Sequence, residues 1–109
     1  MAREKFQTLT EPMYYILLAL LDESCGVDIM KKVSEISNNR VSVGPGTLYT
    51  LLAKFEKEKM IKETLMEGRK RSYIITDYGQ EVLREEYNRM QTMIEEGLKF
   101  REKIFRGKK

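Results

Sequence analysis

Three cations follow one another directly after a glycine, as Arg69, Lys70 and Arg71. They lie between two short runs rich in β-branched and aromatic residues, a pattern that predicts a β-hairpin with a cationic tip. A structural hairpin does not need three positive charges at its apex, whereas a phosphate row or a minor groove attracts them. We therefore expect a nucleic-acid-binding wing with strands over residues 61–66 and 71–75 and a turn over residues 67–70.

A second group of polar side chains lies on one face of a predicted helix, which Pro45 opens by fixing the backbone dihedral of the first turn. The apolar residues of this helix recur at helical spacing: Leu48, Leu51, Leu52 and Phe55. The opposite face carries hydroxyls near its start and cations near its end: Thr47, Thr50, Lys54 and Lys57, with Tyr49 on the flank. This order suits a helix whose start enters a DNA groove while its end lies along phosphates. For any single residue, an ordinary solvated face is the alternative.

Several kinds of chemistry lack the residues that they require. The chain holds no histidine, which removes the usual general base and the commonest metal ligand. Its single cysteine, Cys25, cannot form an intrachain disulfide or a thiolate metal cluster alone. The sequence also has no glycine-rich phosphate-binding motif. We therefore predict a protein that is not an enzyme and needs no cofactor or metal.

Positive charge is concentrated in the middle third of the chain. Residues 40–76 hold eight Lys and Arg against four Asp and Glu, a balance of +4, whereas residues 1–39 balance at −2 and residues 77–109 at +1. A basic segment in a nearly neutral chain is typical of a protein with a polyanionic partner. Charge alone leaves a solvated surface as an equal alternative.

The chain has 109 residues, of which 41% are hydrophobic and 34% charged, and this indicates one folded domain with a small core. The longest apolar run, residues 14–21, is too short to span a bilayer. Residues 1–5 lead into no apolar segment of the signal-peptide type. We expect a soluble cytoplasmic protein with no membrane partner.

Two helices are predicted upstream of the cationic helix. The first begins at the N-cap Thr10 with Pro12 in its first turn, and its apolar stripe follows: Met13, Ile16, Leu17, Leu20 and Leu21. The second covers residues 27–37 and ends at Asn38-Asn39, with three side chains inward: Met30, Val33 and Ile36. Cys25 falls in the turn between them, and two helices joined this closely are typical of a helix-turn-helix.

A long final helix is expected over residues 77–105, about 45 Å at 1.5 Å per residue. Its apolar residues step by three or four: Leu83, Tyr87, Met90, Ile94 and Leu98. Such a helix extends past a compact domain of about 25–30 Å, so its apolar stripe needs a partner. A second copy is the simplest one, which predicts a homodimer. Gly97 either lets two backbones approach or marks a kink.

These elements predict a mostly α fold with a small β-hairpin, a winged helix-turn-helix with a long C-terminal dimerisation helix. Residues 1–76 would form the DNA-binding domain, and residues 77–109 the dimerisation helix and basic tail. Four stretches of the chain resemble the PadR family of bacterial transcriptional regulators: LTEPMYYILLAL (9–20), GVDIM (26–30), GPGTLY (44–49) and GRKRSYIIT (68–76). The resemblance covers about residues 9–80.

The resemblance implies a homodimer that binds a roughly palindromic, double-stranded DNA operator, usually as a repressor. It also implies contacts from the third helix in the major groove and from the wing beside it: Thr47, Tyr49, Thr50, Lys54, Arg69, Lys70 and Arg71. Members of the family commonly release DNA when a small, often aromatic effector binds near the dimer interface. Some of these sites use tryptophan, which this chain lacks.

One position departs from the family pattern. The family tends to have a glycine where this chain has Lys59. A lysine there either adopts a strained left-handed conformation or lets the helix run further, which would re-aim the wing.

Other interpretations compete with DNA binding. A winged helix can serve as a protein–protein interaction module, although the exposed face of the third helix would then be apolar. An enzyme or a ligand carrier could use a methionine-lined pocket, with Met66, Met90 and Met93 as candidates, although methionine at helical spacing is more often core. Cys25 could serve as a redox sensor if it is exposed, but a small, partly buried residue is the favoured interpretation. Binding of RNA would need several exposed aromatic residues on one surface, and only Tyr49 and Tyr73 fall in the basic region, with Tyr73 expected to point inward.

Overall fold

A computed structural model describes residues 8–107. Residues 1–5, where no signal peptide was expected, and the last two lysines of the basic tail lie outside the described residues. The elements follow in this order: α1 (Glu11–Ala19), β1 (Ser24–Cys25), α2 (Gly26–Ile36), α3 (Pro45–Lys57), β2 (Ile61–Glu67), β3 (Lys70–Ile75), α4 (Asp77–Leu98) and α5 (Arg101–Ile104). The predicted class, mostly α with a small β component in a winged helix-turn-helix, is confirmed.

The first helix forms as its sequence predicts. The Thr10 hydroxyl accepts a hydrogen bond from the backbone amide of Met13, and Pro12 lies in the first turn. Four of the five predicted apolar residues are buried, whereas Leu21 follows the end of α1 and is exposed. The helix therefore presents one apolar face to the core.

The inward face of α2 differs from the prediction at both ends. Ile36 is 45% exposed, while Ile29, which was not predicted, is fully buried. The buried residues step by four from Ile29 through Val33 to Ser37, whose hydroxyl donates to the Val33 carbonyl and accepts from the Val41 amide. Ser37 therefore occupies the core position at the end of α2, and Ile36 faces solvent. The predicted break after it is confirmed, because Asn38 and Asn39 both have positive φ.

The wing has one more strand than the sequence predicts. The sheet has the order β1-β3-β2 and is antiparallel throughout, with Cys25 paired to Ser72 on one side of β3. Cys25 thus lies in a buried strand rather than in a turn. The hairpin strands reach Glu67 and Lys70, so the predicted four-residue turn is a two-residue turn.

The base of the wing is joined closely to α4. The helix α3 ends at Lys57, and Lys59 has a φ of 64°, so the lysine adopts the left-handed conformation and α3 does not run further. The Thr76 hydroxyl donates to the Lys59 carbonyl (2.7 Å) and accepts from the Gly79 amide (3.0 Å). A Cβ on Gly79 would lie 2.1 Å from the Met60 carbonyl oxygen, so only glycine allows this approach.

A single cluster of apolar side chains fills the space between the helices and the sheet. It draws on every helix from α1 to α4 and on two strands. Its most buried members include Ile16, Leu17, Leu20, Ile29, Val33, Leu48, Leu52, Phe55, Met60, Ile61, Tyr73 and Val82. The inward orientation predicted for Tyr73 is confirmed.

The C-terminal helix is shorter than predicted. It ends at Leu98 instead of residue 105, so its 22 residues span about 33 Å. The Phe100 amide bonds to the Gly97 carbonyl, which tightens the chain into a turn before α5 begins. Gly97 destabilises a continuous helix, and the break follows it by one residue, after Leu98. Within residues 8–107, no helix has both the length and the apolar character needed to cross a membrane.

Candidate nucleic-acid interface

The helix α3 exposes the face that the sequence predicts. Its buried side, Leu48, Leu52 and Phe55, fixes the rotation of the helix against the core. The opposite side is exposed and carries hydroxyls in the first turns and cations in the last: Thr47, Thr50, Lys54 and Lys57. Tyr49 lies on the flank of this face and is 49% exposed.

The tip of the wing presents two cations to solvent. Gly68 has a φ of 59°, which the tight turn between β2 and β3 requires. Arg69 and Lys70 follow it and are exposed, and neither has an ion-pair partner within residues 8–107. Two unpaired charges so close together repel each other, so an anionic partner would stabilise this arrangement.

Arg71 differs from its two neighbours because it bonds to acidic side chains of the protein. Its Nη2 and Nε donate to Glu63 Oε1 at 2.6 and 3.2 Å, and Nη2 lies 4.0 Å from Glu56 Oε2 in α3. The guanidinium also stacks over the Tyr73 ring, 5.5 Å from its centroid. The hydrogen bond to Glu63 raises the pKa of Arg71, with the tyrosine and the carboxylate charges as smaller causes. Arg71 therefore braces β2 against Tyr73 of β3 and lies beside α3.

An open cleft of about 410 Å³ lies between the wing tip and α3. Its walls and floor are formed by Cys25, Gly26, Val27, Tyr49, Glu67, Arg69, Lys70 and Arg71. Tyr49 and the three wing residues predicted to contact DNA thus share one concave surface. The other predicted contacts, Thr47, Thr50 and Lys54, lie outside its lining, along the exposed face of α3.

The start of α2 also belongs to this cleft, which was not predicted from the sequence. Gly26 and Val27 contribute to the lining, and neither was a candidate. The sequence held no usable signal for them, because the two-residue strand β1 that precedes them is too short to show a periodic pattern.

The predicted dimer residues fall into two groups. Leu83 is only 7% exposed and lies in the hydrophobic core of the chain, and Met90 is half-buried. In contrast, Tyr87, Ile94 and Leu98 are more than half exposed, with Ile94 at 68%. Beside them is a groove of about 400 Å³ whose lining is mostly apolar: Met93, Ile94, Gly97, Leu98, Arg101, Ile104 and Phe105. The contribution of Ile104 and Phe105 depends on the break after Leu98, which was not predicted from the sequence.

The described part of the chain holds no group of three Cys, Asp or Glu side chains arranged as metal ligands. Cys25 is buried in β1, as expected for a small structural residue. What the arrangement offers is thus an exposed helix, a cationic wing and a cleft between them.

Comparison with known proteins agrees with this geometry. The chain is 33% identical over 76 residues to an uncharacterized 37.1 kDa protein in transposon Tn4556 of Streptomyces fradiae, a match that covers 69% of this chain and 21% of that protein. The chain thus spans about a fifth of that relative's length.

Two solved structures resemble the fold. A transcriptional regulator from Clostridium thermocellum superposes with a TM-score of 0.70 at 26% identity, covering 83% of this chain and 93% of that one. A PadR-like transcription factor from Bacteroides fragilis superposes with a TM-score of 0.64 at 25% identity, covering 78% and 82%. Residues 16–85 match the model of the transcriptional regulator PadR-like family. Since this match spans more than half of the chain, the protein belongs to the PadR-like family of transcriptional regulators.

Proposed function

We propose that the protein binds double-stranded DNA as a homodimer and regulates transcription through sequence-specific operators. The observation that carries the proposal is the cleft in which Tyr49 of α3 faces Arg69 and Lys70 of the wing. Two cations with no ion-pair partner among residues 8–107, beside an exposed helix, are suited to a phosphate backbone flanking a groove.

The two parts of the interface have different tasks in this proposal. The start of α3, with Thr47, Tyr49 and Thr50, enters the major groove and contacts base edges. Lys54, near the end of the same helix, lies along phosphates. Arg69 and Lys70 contact the backbone or the minor groove beside it. Arg71 stiffens the wing through Glu63 of β2 and links it to α3 through the longer contact with Glu56.

The exposed apolar residues of α4 support a dimer. Tyr87, Ile94 and Leu98 are not covered by their own subunit, and a second copy related by two-fold symmetry would bury them. Met90 would lie at the edge of the contact. Leu83 is left out of the interface because its own core already buries it.

Repression, and release from DNA by a small aromatic compound, are the finer parts of the proposal and rest on the family resemblance. The apolar groove beside Gly97 supports the second of these, because it offers a compound a concave apolar surface next to Arg101.

Selection of bound duplexes from a random DNA pool tests the proposal. We expect the wild-type protein to enrich an inverted repeat, and the double variant Arg69→Ala/Lys70→Ala to enrich it poorly. Lys103→Ala is the matched control, because it removes a cation from α5 and should leave the enrichment unchanged. A wild-type protein that retains no duplex at low salt would refute DNA binding and favour the protein–protein interaction module.

A further inference from the structure

The ring of Tyr49 lies directly on the backbone of Gly26, at the start of α2. A Cβ placed on Gly26 would be 2.2 Å from the Tyr49 Oη, 2.9 Å from Cζ and 3.3 Å from Cε1. Real Cβ atoms do not approach other atoms as closely as 2.2 Å. Any side chain at position 26 would therefore displace the outer end of the Tyr49 ring.

The backbone of Gly26 gives no reason of its own for a glycine. The glycines with positive φ within residues 8–107 are Gly68 and Gly107, so Gly26 has a conformation that alanine also adopts. It is the first residue of α2, where alanine is a better helix former than glycine. By contrast, Gly44, Gly46 and Gly97 have no atom within 4 Å of an added Cβ. What position 26 requires is space for the tyrosine ring.

This contact decides where the Tyr49 hydroxyl lies. The ring rests on Gly26 with its hydroxyl end, and both residues line the cleft that contains Arg69 and Lys70. Tyrosine has only two side-chain torsions, so this contact at the hydroxyl end of the ring restricts its orientation before DNA arrives. A binding residue that is already ordered loses less conformational entropy on binding.

We propose that Gly26 is a positioning residue for DNA recognition. Because it has no Cβ, the Tyr49 ring can pack on its backbone, in the orientation in which the tyrosine contacts the operator. This inference rests on the proposed function, because it assigns Tyr49 a contact with DNA. It adds a residue that touches no base and acts only through Tyr49.

A double-mutant cycle tests the inference, using the full chain and the inverted repeat enriched from the random pool. Gly26→Ala should lower the affinity for that duplex about 3- to 10-fold, the range expected for an interfacial side chain that must be ordered on binding. The thermal unfolding midpoint should stay equal or rise, because the displaced atoms are the end of one side chain and alanine favours the helix. In the Tyr49→Ala background, Gly26→Ala should have no further effect on affinity.

The readouts separate the possible failures. The positioning role is wrong if Gly26→Ala lowers the affinity equally in the presence and in the absence of Tyr49. It is also wrong if Gly26→Ala leaves the affinity unchanged when Tyr49 is present. DNA binding stands in both cases. A nuclear Overhauser effect between the Tyr49 ring protons and the Gly26 Hα protons reports the contact without DNA, and its absence overturns the inference as well. A wild-type protein that binds no duplex refutes the proposed function, and the positioning role with it.

Discussion

The buried carboxylate of Glu86 in α4 accepts a 3.1 Å hydrogen bond from the backbone amide of Leu9, which precedes it by 77 residues. Glu86 is 1% exposed and also accepts from Arg89, whose Nη2 lies 2.6 Å from Oε2. A carboxylate is costly to bury unless hydrogen-bond donors surround it. The segment before α1 is thereby fastened to the middle of the C-terminal helix.

Removing this carboxylate should destabilise the fold. We expect Glu86→Ala to lower the free energy of unfolding by about 2–3 kcal/mol, because the buried Leu9 amide loses its acceptor. Glu86→Gln keeps an acceptor oxygen and should cost less. Urea unfolding followed by circular dichroism measures both, and equal losses for the two variants would contradict this role.

The two cations at the wing tip, Arg69 and Lys70, should affect the salt dependence of DNA binding. Each of Arg69→Ala and Lys70→Ala should reduce the slope of log affinity against log salt by about 0.9 for every phosphate that is no longer neutralised. Neither should change stability, because neither side chain is paired within the described residues. Fluorescence anisotropy titrations from 50 to 300 mM salt, roughly the range in which such slopes are measured, provide the test. A slope as steep as that of wild type would mean that these residues do not neutralise phosphate.

Arg71 should affect the rigidity of the wing. Arg71→Ala removes the bonds to Glu63 and leaves Glu56 without this cation, so we expect the wing to loosen and amide exchange in β2 and β3 to speed up. Hydrogen exchange distinguishes this from Lys70→Ala, which should leave the exchange rates as they are. Unchanged exchange in Arg71→Ala would show that the brace is unimportant.

A charge on the exposed face of α4 should separate the proposed dimer. Ile94→Glu places a carboxylate on a side chain that is exposed in the monomer, so the fold should survive while the two subunits no longer associate. Sedimentation equilibrium should then give the mass of one chain. Leu65→Glu is the control, since it changes an equally apolar, exposed residue in β2 and should leave two chains associated.

Lys59 offers a way to stabilise the fold. Because its φ is 64°, Lys59→Gly should raise the free energy of unfolding by about 0.5–1 kcal/mol, after allowing for the greater freedom of glycine in the unfolded chain. Ala53→Gly, on the exposed side of α3, should lower it by about 1 kcal/mol. A loss of stability in Lys59→Gly would show that the lysine side chain contributes more than the strain costs.

Stability should fall at high pH partly because of Tyr73. Burial raises the pKa of Tyr73 above the ordinary value of 10.0, and the nearby charge of Arg71 opposes this shift. The unfolded chain therefore ionises first, and the stability present below pH 10 is lost as the pH rises through the folded pKa. Tyr73→Phe cannot ionise, so its unfolding free energy should decline less between pH 8 and pH 11. Parallel curves for the two proteins would exclude this contribution.

The helices and strands whose residue pattern recurs at a regular spacing could be predicted from the sequence. The stripe of Leu48, Leu52 and Phe55 recurs over two turns, and this is enough to fix which face of α3 is exposed. In the wing, Tyr73 and its β-branched neighbours identify a strand, and Gly68 identifies the turn. The residues suited to DNA contact followed from these two elements.

Features that depend on contacts between distant residues could not be predicted. The strand β1 has two residues and exists because Ser24 and Cys25 pair with Tyr73 and Ser72, too short a segment for any periodicity. Ile36 continues the apolar spacing of α2, yet Ser37 takes the buried position through its bonds to Val33 and Val41. The end of α4 after Gly97 and the contact between Gly26 and Tyr49 likewise require the folded chain.

The joint formed by Thr76 and Gly79 leaves no flexible spacer between the wing and α4. In a dimer joined through α4, the separation and relative rotation of the two DNA-binding faces are then set by how the helices pair. One base pair inserted between half-sites turns the second by about 35° around the duplex axis, since B-DNA repeats every 10 to 10.5 base pairs. A protein built in this way tolerates changes of base within a half-site more readily than changes in the length of the spacer.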